Sequence, residues 1–90
     1  MSIDLSFQLS YLLSDQLGES VEVTEVEYSS DGVLCVKLSN GGRGCVEVKA
    51  CKGIKNPGKQ AKCIIKTLSS NEKLLRQLVE AIKTSTTSSQ

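Results

Sequence analysis

The residues best suited to chemistry in this 90-residue chain are four cysteines and a run of lysines, because the chain contains no histidine. Histidine is the commonest general base and the commonest metal ligand in proteins. A serine or cysteine nucleophile would need a lysine or a carboxylate as its base, and no such grouping is evident in the sequence. We therefore expect a non-enzymatic protein with no cofactor and no small-molecule substrate.

The cysteines are Cys35, Cys45, Cys51 and Cys63, and none of them forms a Cys-x-x-Cys pair. Structural zinc sites usually present their ligands in such close pairs, so a metal site is not expected. Four cysteines allow three disulfide pairings, but cytosolic proteins outside hyperthermophiles are normally kept reduced. The sequence favours small, half-buried apolar thiols in strands, and leaves disulfides open as the alternative.

The lysines belong to a charge distribution that is divided along the chain. Residues 1–36 contain seven acidic residues and no basic one, whereas residues 37–90 contain all eleven basic residues and three acidic ones. The net charge of +1 is therefore a cancellation. Such asymmetry indicates an anionic partner or a head-to-tail contact between copies, and internal complementation of the two halves is the alternative.

Nucleic-acid binding is the sharpest functional hypothesis, because clustered lysines neutralise phosphates and release counterions. Of only three aromatic residues, Phe7 and Tyr11 are expected in the core of a helix, which leaves little platform for base stacking. We therefore expect contacts to an RNA or DNA backbone, as in recognition of folded RNA by shape. The candidate residues are Lys37, Arg43, Lys49, Lys52, Lys55, Lys59, Lys62 and Lys66.

A protein-interaction or inhibitor module is the alternative function. An open sheet with helices on one side leaves its other face exposed, and its first strand is a candidate edge. Such a surface could form a homodimer or a heterodimer, or bind another protein.

The chain begins with a segment, residues 3–17, that fits both a helical leucine stripe and a strict strand alternation. Its length favours a helix. A strand is predicted at 21–28, with a bulge near Thr24 and Glu25 where the apolar phase slips. The turn Ser29–Gly32 then leads to a strand at 33–39, and a glycine-rich turn leads to a third strand at 45–50.

The second half is predicted as a loop over 51–61, a short fourth strand over 62–67 and a final helix. Ser69 and Glu72 have the spacing of a capping box that would open this helix. The order α-β-β-β-β-α gives an α+β domain over 1–83, with an antiparallel sheet of three to four strands and both terminal helices on one face. Residues 84–90 are expected to be a disordered Ser/Thr tail. With no long apolar run and no basic leader, we expect a cytoplasmic protein that does not associate with membranes.

Residues 30–38 (SDGVLCVKL) resemble the turn and second strand of the smaller Alu-domain subunit of the signal recognition particle. Residues 63–83, CIIKT and the leucine-rich helix after it, look like the last strand and helix of that family. The resemblance implies an α-β-β-β-α fold that works as a dimer and grips RNA on a concave sheet. It also implies RNA-backbone contacts for Lys37 and Lys66. The acidic first strand and residues 39–61 depart from the family pattern.

Overall fold

The computed structural model describes residues 5–88, and the side chains of residues 5–85. It shows an α+β fold of three helices and a three-stranded antiparallel sheet. In chain order the elements are α1 (Leu5–Leu17), β1 (Val23–Tyr28), β2 (Val33–Leu38), β3 (Arg43–Glu47), a 3-10 turn (Lys49–Cys51), α2 (Pro57–Ser70) and α3 (Glu72–Ser88). No helix in this part of the chain is both long and apolar enough to cross a membrane.

The sheet is a meander of order β1-β2-β3, built on the two turns that the sequence predicts. Gly41, in the second turn, has a φ of +94°, which a residue without a side chain adopts at little cost. The predicted bulge is confirmed: Val23 pairs with Leu38 whereas Glu25 pairs with Lys37, so Thr24 is the extra residue in β1. The bulge lets the valines on both sides of it face the same core.

The N-terminal segment is a helix over the described residues 5–17, as its length indicates, while Ile3 lies outside them. Leu9 and Leu13 are completely buried. Two serines attach the helix to the chain entering β1: the Val23 amide donates to Ser10 Oγ (2.8 Å), and the Val21 amide donates to Ser14 Oγ (3.0 Å). These contacts fix α1 beside the edge of the sheet.

The expectation of a fourth strand at 62–67 is wrong, because these residues are the middle of α2. Pro57 occupies the first turn, where its missing N–H is not needed, and Asn56 Oδ1 accepts a hydrogen bond from the Lys59 amide at 3.0 Å. Ala61, Ile64 and Leu68 repeat at helical spacing and are buried. The predicted loop therefore ends at Asn56, and the element order becomes α-β-β-β-α-α.

The final helix begins at Glu72, the last residue of the predicted capping box, and not directly after Ser69. Ser69 lies inside α2, and Asn71 separates the two helices, its Oδ1 accepting from the Leu74 amide at 3.2 Å. α3 then continues to Ser88, so residues 84–88 of the expected disordered tail are helical instead, and residues 89–90 lie outside the described part.

The core lies between one face of the sheet and the three helices. The buried strand residues alternate along β2 and the segment containing β3: Leu34, Val36, Leu38, Val46 and Val48. The other face of the sheet carries the residues between them and is solvent-accessible; we call it the open face. Gly44 faces the helices, and a Cβ built on it would stand 3.0 Å from the Ala81 side chain and 3.1 Å from the Ile82 amide nitrogen. α3 can therefore pack closely against β3 only because residue 44 has no side chain.

Substituting Gly44→Ala should destabilise the fold although the new side chain is apolar. One of its closest neighbours is the backbone of α3, which can move only with the whole helix, so we expect the free energy of unfolding to fall by about 1–3 kcal/mol. Urea unfolding followed by circular dichroism measures this difference. An unchanged midpoint would show that α3 does not rest on β3 as described.

Tyr28 connects the first hairpin to the end of the sheet, since its hydroxyl donates to the Val48 carbonyl. Partial burial raises the pKa of this phenol above its ordinary value. Its stabilising contribution is therefore complete below the unfolded-state pKa and is lost as the pH rises through the higher folded-state pKa.

In the variant Tyr28→Phe, this part of the alkaline loss of stability should disappear. The comparison needs urea midpoints of both proteins from about pH 8 to about pH 11, so that the range includes the unfolded tyrosine pKa of about 10. The lysines contribute equally to both curves. Parallel curves would contradict a tyrosine that holds its proton more tightly when folded.

Candidate nucleic-acid interface

Six of the eight predicted contact residues lie in one continuous segment that follows the sheet. Lys49 belongs to the 3-10 turn, Lys52 and Lys55 to the loop after it, and Lys59, Lys62 and Lys66 to α2; together we call them the lysine surface. All six are exposed. At 100° per residue, the three lysines of α2 lie within about 60° of one another around the helix. The helical form of this segment thus gathers its charges on one side.

A disulfide between Cys51 and Cys63 holds the two parts of the lysine surface together. The Cα atoms of the two cysteines are 5.7 Å apart, and Cys51 is completely buried. Lys52 follows one bonded cysteine and Lys62 precedes the other, so their Cα atoms lie at most about 13 Å apart. The covalent bond therefore restricts how far the loop lysines can move from the helix lysines.

The lysine surface has little internal neutralisation. No acidic residue occurs between Glu47 and Glu72 in the sequence. Lys49 Nζ lies 4.0 Å from a Glu47 carboxylate oxygen, and both side chains are well exposed. Within residues 5–88, none of the other five lysines has a carboxylate at salt-bridge distance. Their charges are thus available to an external anion, and a solvent-exposed pair such as Lys49–Glu47 contributes little.

The remaining two predicted residues, Lys37 and Arg43, occupy a different place. They face each other across β2 and β3 on the open face of the sheet, while α2 belongs to the layer that covers the other face. Lys37 Nζ is 4.0 Å from a carboxylate oxygen of Glu25 on β1. They line a shallow groove of about 600 Å³ whose walls also include Glu27, Cys45 and Ser85. This groove has mixed charge, and the structure does not join it to the lysine surface.

All four cysteines are paired, so the favoured interpretation of reduced thiols is wrong. The second disulfide joins Cys35 and Cys45, which are directly opposite each other on β2 and β3 and project from the open face. The prediction treats each cysteine as a separate apolar residue in a strand. Here the hairpin register brings two of them together, and the 3-10 turn brings the other two together, neither of which the spacing alone reveals.

Two exposed aromatic residues were missed by the sequence argument. Phe7 and Tyr11 are 72% and 74% exposed, whereas both were expected in the helix core. They are one turn apart on the side of α1 away from Leu9 and Leu13. Because the leucine stripe marks the buried side of the helix, it already indicates that these two aromatic residues lie outside the core. They form a small aromatic patch on α1.

In comparisons with known proteins, no family model, no curated protein and no solved structure matches the chain.

The two disulfides should differ in how readily they are reduced. Their sequence separations, 10 and 12 residues, are nearly the same, so loop entropy distinguishes them little. Cys45 is exposed, whereas Cys51 is completely buried. Under mild reduction of the native protein we expect Cys35 and Cys45 to be alkylated first, as identified by mass spectrometry of the digested chain.

Thiol counting in denaturant without reductant provides the control for this experiment, since it should find no free thiol before reduction. Four free thiols at that step would contradict both disulfides. Alkylation of Cys51 and Cys63 before the other pair would contradict the burial that protects them.

Proposed function

We propose that this chain is a small non-enzymatic protein that binds the phosphate backbone of RNA or DNA through its lysine surface. The observation that carries the proposal is the side-by-side placement of the 3-10 turn and α2, which presents six exposed lysines with one weak acidic neighbour. Neutralising several phosphates at once releases counterions, and this release supplies most of the free energy of such binding.

Contacts to the backbone fit this surface better than contacts to bases. The lysine surface contains no aromatic residue, and the aromatic patch on α1 shares its helix with Asp15 and with no basic residue. Stacking of single-stranded bases needs aromatic platforms inside a basic groove. A folded RNA or a duplex presents phosphates without that requirement.

RNA is the preferred ligand within this proposal because of the resemblance to the smaller Alu-domain subunit of the signal recognition particle. That resemblance includes Lys66, which belongs to the lysine surface, and Lys37, on the open face. Residues 63–67, compared there with a strand, are helical here, so the support from the resemblance comes from residues 30–38 and Lys37. Two disulfides in an intracellular protein are best explained by a hyperthermophilic cell, where such bonds persist.

A second candidate function is a protein-interaction module, dimeric or bound to another protein. The exposed pair Phe7 and Tyr11 favours it, because aromatic side chains are enriched at protein interfaces. Light scattering combined with size-exclusion chromatography tests self-association, and a dimer that Phe7→Ala with Tyr11→Ala converts to a monomer would support this candidate.

The direct test of backbone binding is an electrophoretic mobility shift with a structured RNA and a duplex DNA at several salt concentrations. If all six lysines contact phosphates, the logarithm of the association constant should fall with the logarithm of salt with a slope of about −5. The double variant Lys62→Glu with Lys66→Glu should weaken binding at least about tenfold at low salt, because it places two like charges against phosphates.

The matched control is Arg76→Glu with Lys83→Glu on α3, which changes the net charge by the same amount outside the lysine surface. Circular dichroism verifies that both variants fold. Equal loss of affinity in the two variants would show that binding depends on the overall charge of the protein and not on the lysine surface. No shift by the native protein at about 50 mM salt would end the proposal, since electrostatic binding is strong under that condition.

A further inference from the structure

The segment from Val21 to Tyr28, which contains β1, has two parts, before and after the bulge at Thr24, whose outer edges have different neighbours. β1 is at one edge of the sheet, so the backbone groups that point away from β2 have no neighbouring strand. Before the bulge, the hydroxyls of Ser10 and Ser14 bond the amides of Val23 and Val21. This half of the edge is covered by α1, a common way in which proteins protect an edge strand.

After the bulge, the edge is open. The Ser29 amide donates to the Val33 carbonyl, and the antiparallel alternation from this point directs the N–H and C=O of Tyr28 and Val26 away from β2. Within residues 5–88, no hydrogen bond joins these four backbone groups to another element. They form a short row of donors and acceptors that an extended chain could complete.

A groove of about 420 Å³ runs beside this open edge. One wall is the strand from Thr24 to Tyr28, and the others are the first turn of α1 and the first two turns of α2. Leu5, Pro57, Ala61 and Ile64 make these walls largely apolar. A free strand edge beside an apolar channel is the geometry in which an extended peptide adds to a sheet, with hydrogen bonds on one side and side-chain pockets on the other.

The charge beside the groove selects the kind of segment. Glu25 and Glu27 project from β1 on the open face, and Asp31 follows in the turn; Lys37 of β2, 4.0 Å from Glu25, lies on the side away from the open edge. The lysines of α2 leave that helix on the side away from Ala61 and Ile64, which face the groove and the core. An added strand would thus have its outward side chains beside glutamates and its inward ones beside apolar residues.

From this arrangement we propose that the open half of β1 binds an extended segment of another protein in which basic and apolar residues alternate. A second copy of this chain fits less well, because antiparallel pairing of β1 with itself would set Glu25 and Glu27 against the same residues of the partner. The site is separate from the lysine surface, so it stands or falls independently of nucleic-acid binding.

The experiment uses short capped peptides that alternate lysine with valine, titrated into the isotope-labelled full chain and followed by amide chemical shifts. We expect the largest shifts at residues 25–28 and at the first turns of α1 and α2. The corresponding peptide of glutamate and valine should bind at least about tenfold more weakly, because like charges then lie across the strands. Shifts confined to other parts of the chain would overturn the proposal.

Backbone pairing is tested without altering the protein. A lysine–valine peptide N-methylated at the amides that face β1 should lose binding, whereas the isomer methylated at the alternate amides should keep it. Glu25→Lys with Glu27→Lys should reverse the charge preference toward the acidic peptide. Equal binding of the two methylated peptides, or an unlabelled native chain that is already dimeric through β1, would contradict the proposal.

Discussion

The disulfide between Cys51 and Cys63 fixes the position of the helical layer against the sheet, and much of the molecule depends on this arrangement. It joins the 3-10 turn at the end of the sheet to the first half of α2, with its Cys51 end inside the core. A chain of 90 residues buries only a limited apolar surface. A cross-link that restricts the unfolded state therefore makes an important contribution, about 2–4 kcal/mol, to the free energy of unfolding. The same bond keeps the loop lysines beside the helix lysines.

On the open face of the sheet, too, a disulfide stabilises the structure. Three strands supply one apolar face, which the three helices cover, and the other face is left to charged residues and to Cys35–Cys45. This second cross-link joins neighbouring strands directly, so it secures the β2–β3 pairing without any covering layer. The small core and the two disulfides are thus complementary solutions to the short length of the chain.

The sequence predicts the first half of the fold well because its signals there are local. The length of the leucine-rich segment, the phase slip at Thr24 and the two glycine-containing turns each indicate one feature, and each is present. The error over 62–67 has a physical cause: Asn56 and Pro57 lie within the predicted loop over 51–61, although asparagine followed by proline also caps and opens a helix. Once the helix begins at Pro57, Ala61, Ile64 and Leu68 form its buried stripe across the predicted loop boundary.

The candidate site was predictable in composition but not in shape. As a loop and a strand, residues 51–67 would have placed Lys62 and Lys66 on one face of the strand and left Lys59 in the loop before it. The helix instead places Lys59, Lys62 and Lys66 together and turns Ala61 and Ile64 toward the sheet. The helix also separates the two charged regions: the lysines lie on one side of α2, and the groove beside Glu25 lies on the other. The net charge of +1 is therefore distributed unevenly in space, with a lysine surface on one side of α2 and the glutamates of β1 on another part of the molecule.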